Sequence, residues 1–153
     1  THIYNRRYLV EYLNKKMKIE SQEFAVVLLD IDDFKSINDQ YGHIYGDQTL
    51  QAFSDSMKKN MDNKGIVTRF GGEEFMLVFD DINHEVIEDT LNKVAEEFAL
   101  YGKQSKGIEL SFSGGVEVFY QEDEIVKLFN QADHKLYYAK HTGKKKIVFD
   151  IDV

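Results

Sequence analysis

Cysteine and proline are both missing from this chain of 153 residues. Without cysteine, the protein has no disulfide, no thiolate metal ligand and no cysteine nucleophile, which fits a reducing compartment. Without proline, and with its ten glycines placed at plausible turns, it has no proline-rich linker, low-complexity segment or internal repeat. We therefore expect a single domain over residues 1–153.

Long apolar runs and a surplus of basic residues are missing as well. No apolar stretch approaches the roughly 20 residues that cross a bilayer, and the opening residues lack the apolar core of a signal peptide. The formal net charge is -8. A protein of duplex nucleic acid would normally present a basic face, so we expect no such partner. We expect a cytoplasmic domain, and a longer protein could be anchored to a membrane through a region upstream.

The chain does contain enough apolar residues for one core, with 42% hydrophobic and 13% aromatic residues. Apolar residues at helical spacing predict helices at Arg7–Met17, after Asp47 as a possible cap, at Ile87–Phe98 and at Ile125–Leu136. Short apolar runs predict strands at Phe24–Leu29, Ile66–Phe70, Phe75–Phe79, within Ile108–Phe119 with an interruption at Gly114-Gly115, and at Lys146–Phe149. This order predicts an α+β fold with a central, mostly antiparallel five-stranded sheet flanked by helices.

The run Gly71-Gly72-Glu73-Glu74-Phe75 joins two of the predicted strands. Glycines let a backbone turn tightly and approach a ligand closely, and carboxylates are ligands for Mg²⁺. The first strand ends in Asp30-Ile31-Asp32, where alternation puts both aspartates on one face and leaves the Ile31 carbonyl at the same strand end. If this strand end meets the hairpin tip, Asp30 and Glu73 converge. Taken alone, the run also fits an ordinary hairpin.

A nucleoside triphosphate between the strand end and the hairpin would face several carboxylates. Like unit charges about 4 Å apart repel by about 4 kcal/mol at an effective dielectric of about 20. Bound Mg²⁺ removes that repulsion, and a pair of such ions can polarise the α-phosphate and lower the pKa of an attacking hydroxyl. The sequence therefore permits phosphoryl or nucleotidyl transfer.

Several blocks in a fixed order make the chain resemble the GGDEF family of diguanylate cyclases over nearly its whole length. The blocks are Asn5-Arg6-Arg7, Asp30-Ile31-Asp32-Asp33-Phe34-Lys35, Ile37-Asn38-Asp39, Tyr41-Gly42-His43, Gly46-Asp47, Arg69-Phe70-Gly71-Gly72-Glu73-Glu74-Phe75, and Ala132-Asp133 followed by Leu136-Tyr137 and Ala139-Lys140. The resemblance implies a palm-like nucleotidyl-cyclase fold. It also implies condensation of two GTP molecules into cyclic di-GMP with release of pyrophosphate.

The resemblance further implies roles for individual residues. The matched metal ligands, for Mg²⁺ or Mn²⁺, are Asp30, the Ile31 carbonyl and Glu73, with Glu74 a weaker candidate. Glu73 also matches the residue that activates the ribose 3′-hydroxyl, and Lys35 matches one that stabilises charge on the reacting phosphates, so Glu73, Lys35 and Asp30 form the expected catalytic set. The matched substrate-binding residues are Asn38, His43 and Asp47 around guanine, Lys140 and Lys144 at the phosphates, and Gly71 and Gly72 at the turn.

Each of these residues also has an ordinary structural interpretation. A lysine at a helix end is usually solvated, Asn38 could be a cap, and a lone His43 is more often structural than functional. Asp47 is the more specific feature, because a carboxylate accepts two hydrogen bonds from the paired N–H donors of guanine. The common spacing is what favours the functional interpretation of the set.

Three departures from the family pattern carry expectations of their own. Residues 62–65, Asp-Asn-Lys-Gly, replace an Arg-x-x-Asp product-inhibition motif, so we expect no feedback site there. Lys144 replaces an arginine, which keeps the charge but loses the bidentate fork. Residues 1–4, Thr-His-Ile-Tyr, replace the usual Leu-Thr-Gly-Leu, which suggests a domain excised from a longer protein with an upstream sensory or dimerisation region.

One set of site residues for each chain implies a homodimer, because two bound GTP molecules must face each other to condense. The alternative is a catalytically weak or inactive GGDEF domain that binds GTP as a regulatory or scaffold module. The altered amino terminus and Lys144 keep this alternative open. A cyclase that makes another cyclic dinucleotide is disfavoured by Asp47.

Overall fold

The computed structural model describes residues 3–18, 23–119 and 125–151. The elements in these ranges are β1 (Ile3–Asn5), α1 (Arg6–Met17), β2 (Phe24–Ile31), α2 (Phe34–Tyr41), α3 (His43–Asn60), β3 (Gly65–Gly71), β4 (Glu74–Phe79), α4 (His84–Lys106), β5 (Phe112–Phe119), α5 (Ile125–His141) and β6 (Ile147–Val148). The expected α+β class is confirmed. Thr1 and His2, part of the altered amino-terminal motif, lie outside the described residues.

The sheet has six strands in the order β1-β3-β4-β2-β5-β6, so the expected number of five was wrong. Strand β2 is antiparallel to both of its neighbours, β4 and β5. The two edge strands, β1 and β6, are parallel to theirs. The missed strand, β1, has three residues and pairs with β3, which is distant in the sequence, so no local pattern announces it. The sheet nevertheless remains mostly antiparallel.

Strand β2 lies at the centre of the molecule and is buried on both faces. Its residues Ala25, Val27 and Leu29 belong to the core cluster that includes apolar residues of α2, α3 and α4. Its residues Phe24, Val26 and Leu28 belong to the cluster formed with α1 and α5. A strand held in this way has a fixed end, so the residues that follow Leu29 are rigidly placed. No helix in the described part of the chain is long and apolar enough to span a membrane.

Two local predictions were wrong. Asp47 does not cap a helix, because α3 already begins at His43, after Gly42 with φ of 90°. Gly114 and Gly115 do not interrupt a strand, because β5 runs through both and they pair with Leu29 and Leu28 of β2. A Cβ atom at Gly115 would lie 2.4 Å from the Ala132 carbonyl oxygen. The glycine therefore allows α5 to approach the sheet closely.

Gly115→Ala is expected to lower the free energy of unfolding by about 3 kcal/mol, because the new methyl group would lie 2.4 Å from the Ala132 carbonyl oxygen of α5 and the helix must shift to make room. Urea denaturation measures this change. Gly114→Ala is the matched control and should cost less, because its nearest neighbour at 2.5 Å is the end of the Leu29 side chain. Equal losses in the two variants would show that α5 is not closely seated at Gly115.

Candidate active site

The end of β2 meets the tip of the hairpin formed by β3 and β4. The Ile31 amide donates a hydrogen bond to the Glu73 carbonyl at 3.4 Å. Asp30 pairs across the sheet with Glu74 of β4, and directly opposed side chains of an antiparallel pair lie on the same face. The structure therefore brings the carboxylates of the strand end and the hairpin to one edge of the sheet.

The hairpin tip leaves space for a ligand, and the Arg69 side chain holds its backbone. Gly71 pairs with Glu74 after a bulge that follows Arg69, and Gly72 has a positive φ of 46° that favours glycine. Apart from the adjacent residues of the chain, no atom of the described residues lies within 4 Å of a Cβ placed on Gly71 or Gly72. Arg69 donates from Nε and Nη2 to the Gly72 carbonyl at 3.0 and 2.8 Å, a role that the sequence did not reveal.

Asp30 is the least satisfied carboxylate in this region. Its Oδ1 atom is buried and has no hydrogen-bond partner among the described residues. Burial raises the pKa of Asp30 to about 6, with Lys140 acting in the opposite direction and the charges of Glu73 and Glu74 adding to the rise. Burial also raises the pKa of Glu74, together with the charges of Asp133 and Glu73. A cation at this position would relieve the unfavourable burial.

The available oxygen atoms suit a hard divalent cation. Asp30, Glu73 and the Ile31 carbonyl supply the types of oxygen that Mg²⁺ and Mn²⁺ accept. The described residues contain no group of three or more His, Cys, Asp or Glu side chains arranged to hold a metal. The expected donor set has two main side-chain ligands, Asp30 and Glu73, and takes a third oxygen from the Ile31 backbone; the weaker candidate Glu74 does not complete such a group in the described residues. The unpartnered Asp30 Oδ1 makes these residues a reasonable fit to a divalent cation.

Lysines also lie around the same strand end. The Lys140 Nζ donates to Asp32 Oδ1 at 2.8 Å and to the Ile31 carbonyl at 3.1 Å. The Lys144 Nζ lies 2.6 Å from Asp33 Oδ1. Lys35 is exposed on the first turn of α2. The end of β2 thus has carboxylates from the hairpin and lysines from α2, α5 and the turn after α5 around it.

A second group of matched residues lies where α2 meets α3. A Cβ atom at Gly46 would lie 1.7 Å from Asn38 Oδ1, so the Asn38 amide rests directly on the backbone of α3. Asp47 is the next residue and is exposed. His43 lies four residues before it, on the same helix face, and is exposed too. This junction offers an amide, a carboxylate and an imidazole to a flat polar ligand.

If this junction binds guanine, as the resemblance implies, Gly46→Ala should weaken GTP binding about 10- to 30-fold, which corresponds to one or two lost hydrogen bonds, because the methyl group displaces the Asn38 amide. The free energy of unfolding should change by less than about 1 kcal/mol, because Asn38 can swing away and alanine favours a helix. Calorimetric titration with GTP measures the first effect. Asn38→Ala should reproduce it, and the double variant should show no further loss; additive losses would contradict the contact.

Three polar residues near Lys140, namely Asp32, Ser111 and Ser113, were given no role by the sequence. Asp32 is buried and accepts hydrogen bonds from Ser111 Oγ and Ser113 Oγ, both at 2.7 Å. Burial by itself raises the pKa of Asp32, but hydrogen bonds from Lys140, Ser113 and Ser111 outweigh it and lower the pKa. The available signal was the spacing of the two serines, which places polar side chains on one face at the start of a buried strand.

Comparisons with known proteins show the family and the fold of this chain. The model of the family described as diguanylate cyclase, GGDEF domain, matches residues 1–146. The chain is 35% identical to the probable diguanylate cyclase DgcF of Escherichia coli K12, over 95% of this chain and 49% of that protein. It is 29% identical to diguanylate cyclase DosC of the same strain, over 96% of this chain and 33% of that protein. The chain thus spans half or less of the length of these curated relatives.

A solved structure gives the same result for the fold. The active GGEEF domain of a diguanylate cyclase from Vibrio cholerae has a TM-score of 0.87 and 26% identity to this chain. The superposition covers 99% of this chain and 100% of that one. The family model and this likeness both extend over nearly all of the sequence, from the first strand to the turn after α5. The chain therefore belongs to the GGDEF domain family of diguanylate cyclases.

Proposed function

We propose that this domain condenses two GTP molecules into cyclic di-GMP and two pyrophosphates. The observation that carries the proposal is the junction of β2 with the hairpin tip, where the Ile31 amide bonds to the Glu73 carbonyl and Asp30 Oδ1 is buried without a hydrogen-bond partner in the described part of the chain. The relatives DgcF and DosC, which are named as diguanylate cyclases, support it. GTP is an intracellular substrate, so the activity requires a cytoplasmic domain, whatever region precedes it in a longer protein.

The guanine base binds at the junction of α2 and α3. Asp47 accepts two hydrogen bonds from the base, Asn38 donates and accepts at its edge, and His43 lies beside them. The triphosphate extends from there towards the end of β2, past the open backbone of Gly71 and Gly72. Lys140 and Lys144 contact the terminal phosphates, where a positive charge offsets the negative charge of the triphosphate.

The chemical step uses residues on both sides of the triphosphate. Glu73 accepts the proton of the ribose 3′-hydroxyl, whose oxygen attacks the α-phosphorus of the other GTP while the bond to pyrophosphate breaks. Lys35 stabilises the negative charge on the reacting phosphate. Asp30, the Ile31 carbonyl and Glu73, with Glu74 as an accessory, would hold Mg²⁺ or Mn²⁺, which neutralises the phosphates and polarises the α-phosphate.

The reaction requires two copies of the domain. Each copy holds one GTP, and two-fold symmetry lets each 3′-hydroxyl face the α-phosphate of the other nucleotide. The rate therefore depends on the encounter of two domains, which an upstream dimerisation region would promote. Residues 62–65 lack the arginine and aspartate of the product-inhibition motif, so cyclic di-GMP should not inhibit the enzyme through this surface.

A GTP-binding scaffold is the second candidate. Lys144 favours it, because a lysine grips a phosphate less firmly than an arginine fork and because its Nζ is already paired with Asp33 at 2.6 Å. The scaffold would bind GTP through Asn38 and Asp47 without turning it over. A cyclase for a mixed dinucleotide would need a second base pocket that tolerates adenine, which Asp47 disfavours.

Chromatography of the reaction products separates these candidates. The domain is fused to a coiled coil that forces dimers and is incubated with GTP, ATP and Mg²⁺. Cyclic di-GMP is the expected product. GTP that is bound but not converted would favour the scaffold, and a dinucleotide containing adenine would refute the proposed substrate.

A further inference from the structure

Asp32 bonds to Lys140 and to the turn that carries Lys144, the two lysines that are proposed to bind phosphate. We propose that Asp32 is a positioning residue that holds Lys140 and the turn bearing Lys144 in place for the triphosphate of GTP. The inference rests on the proposed function, because it assigns the phosphate side of the same site.

The Asp32 carboxylate is saturated by donors. Oδ1 accepts from Ser113 Oγ at 2.7 Å and from Lys140 Nζ at 2.8 Å. Oδ2 accepts from Ser111 Oγ at 2.7 Å and from the Lys145 amide at 3.0 Å. Only 5% of the residue is exposed. A carboxylate has about four lone-pair positions, so Asp32 has none left for a metal or a substrate.

Lys140 makes its shortest hydrogen bond to Asp32, and its Nζ also lies 3.7 Å from Asp30 Oδ2. Its ammonium group donates to Asp32 Oδ1 and to the carbonyls of Asp30 and Ile31, at 3.2 and 3.1 Å for the carbonyls. A lysine side chain is otherwise a flexible stem that holds no fixed direction. The bond to Asp32 is charged and buried, whereas the two carbonyls are neutral acceptors that a phosphate oxygen can replace. Asp32 therefore keeps the ammonium group at the edge of the site while its other donors turn to the ligand.

The turn that carries Lys144 depends on the same carboxylate. Lys144 and Lys145 both have left-handed backbones, with φ of 59° and 50°, a conformation that residues other than glycine rarely adopt. The Lys144 amide donates to the Ala139 carbonyl at 2.9 Å, and the Lys145 amide donates to Asp32 Oδ2. Such a backbone persists only where its surroundings hold it. Without Asp32 the Lys145 amide loses its acceptor, and the left-handed backbone around Lys144 is held only by the bond to Ala139 and by contacts of neighbouring residues, among them the Lys144 Nζ with Asp33. We therefore expect Lys144 to be placed less precisely.

Simple electrostatics predicts the opposite effect. Asp32 is a negative charge close to the place proposed for a triphosphate, so its removal alone would strengthen binding of that anion. A purely structural ion pair would lower the stability of the fold without any preference among nucleotides. Only a positioning role predicts weaker binding that grows with the number of phosphates.

The test compares two ligands that share guanine but differ in their phosphates. The wild-type domain, Asp32→Asn and Ser113→Ala are titrated with GMP and with a GTP analogue that has a methylene group between the α- and β-phosphorus atoms, in the presence of Mg²⁺. Asp32→Asn is expected to weaken binding of the analogue about 10- to 100-fold, as is common for residues that orient a binding group. Its affinity for GMP should change by less than about two-fold, because Asn38 and Asp47 are untouched. Ser113→Ala keeps the charge and should show a smaller loss in the same direction.

The matched control is Glu117→Gln, which breaks another ion pair between β5 and α5. The Lys135 Nζ lies 2.6 Å from Glu117 Oε2, and both side chains are largely buried. This variant should leave the ratio of the two affinities unchanged. Three results for Asp32→Asn would overturn the inference. They are an equal loss of affinity for GMP and the analogue, no loss of affinity for either, and tighter binding of the analogue. If Asp32→Asn fails to fold, an unchanged ratio in Ser113→Ala overturns it. A wild-type domain that binds neither ligand would refute the proposed function as well, so the two failures are distinguishable.

Discussion

Glu73→Gln is expected to lower the rate of cyclic di-GMP formation by about 10³-fold while the domain remains folded. The residue has two proposed tasks, as a metal ligand and as the acceptor of the 3′-hydroxyl proton, and an amide performs neither of them well. Glu73 lies at the hairpin tip and is only partly buried, so the substitution should leave the core intact. The rate is measured in the forced dimer at saturating GTP, with urea denaturation to check the fold.

Glu74→Gln is the matched control for that variant. It removes the same charge one residue later, but Glu74 begins β4 opposite Asp30 and is only an accessory ligand in the proposal. We expect a loss of less than about 10-fold, since the proton acceptor is retained. If Glu74→Gln is as inactive as Glu73→Gln, the roles of the two glutamates are not divided as proposed. If Glu73→Gln retains most of the rate, another group accepts the proton.

Asp30→Asn is expected to have opposite effects on the stability of the free domain and on its response to ligand. Burial raises the pKa of Asp30 to about 6, so near pH 7.5 the native fold contains an ionised carboxylate in an unfavourable position. The amide removes this cost and should raise the free energy of unfolding by about 1 kcal/mol, allowing for the partial exposure of the side chain. The same change removes a proposed metal ligand, so GTP with Mg²⁺ should no longer raise the melting temperature.

The difference in stability between Asp30→Asn and the wild type depends on pH because the pKa of Asp30 is raised. The native state holds the Asp30 proton more tightly than the unfolded chain, whose aspartate pKa is about 3.9. The contribution of Asp30 to stability is therefore fully present below pH of about 4 and is lost as pH rises through about 6. Asp30→Asn should be more stable than the wild type near pH 7.5 and equal to it near pH 4. Asp55→Asn, at an exposed position on α3, should show no such change with pH in its stability relative to the wild type. A destabilised Asp30→Asn at neutral pH would contradict the account of the unpaired oxygen.

The sequence predicts the larger elements of this fold because their signals are local. Buried runs such as Phe24–Leu29 and helical spacing such as that from Ile87 to Phe98 are set by neighbours in the chain. The three residues of β1 carry no such signal, since their pairing with β3 joins positions 64 residues apart in sequence, as Ile3 pairs with Val67. The glycines of β5 mislead for a related reason. Their purpose is the approach of α5, which only the tertiary structure reveals.

The residues of the candidate site also differ in whether the sequence alone reveals them. The residues that would touch the substrate, such as Asn38, Asp47 and Glu73, can be proposed from the spacing of family motifs. The residues that support them cannot, because their partners are distant in sequence. Asp32 and Lys145 are 113 residues apart, and the contact between them needs a left-handed turn that no composition predicts. The close contact of Gly46 with Asn38 is likewise visible only when α2 and α3 are packed together.

The most direct test of the proposed activity is the stoichiometry of the reaction. The forced dimer is incubated with GTP and Mg²⁺, and cyclic di-GMP and pyrophosphate are quantified in the same samples over time. The proposed condensation requires two pyrophosphates for each cyclic dinucleotide, with both products formed about 10³-fold more slowly in the Glu73→Gln sample. GTP that remains intact in the wild-type sample, or pyrophosphate released without the dinucleotide, would contradict it.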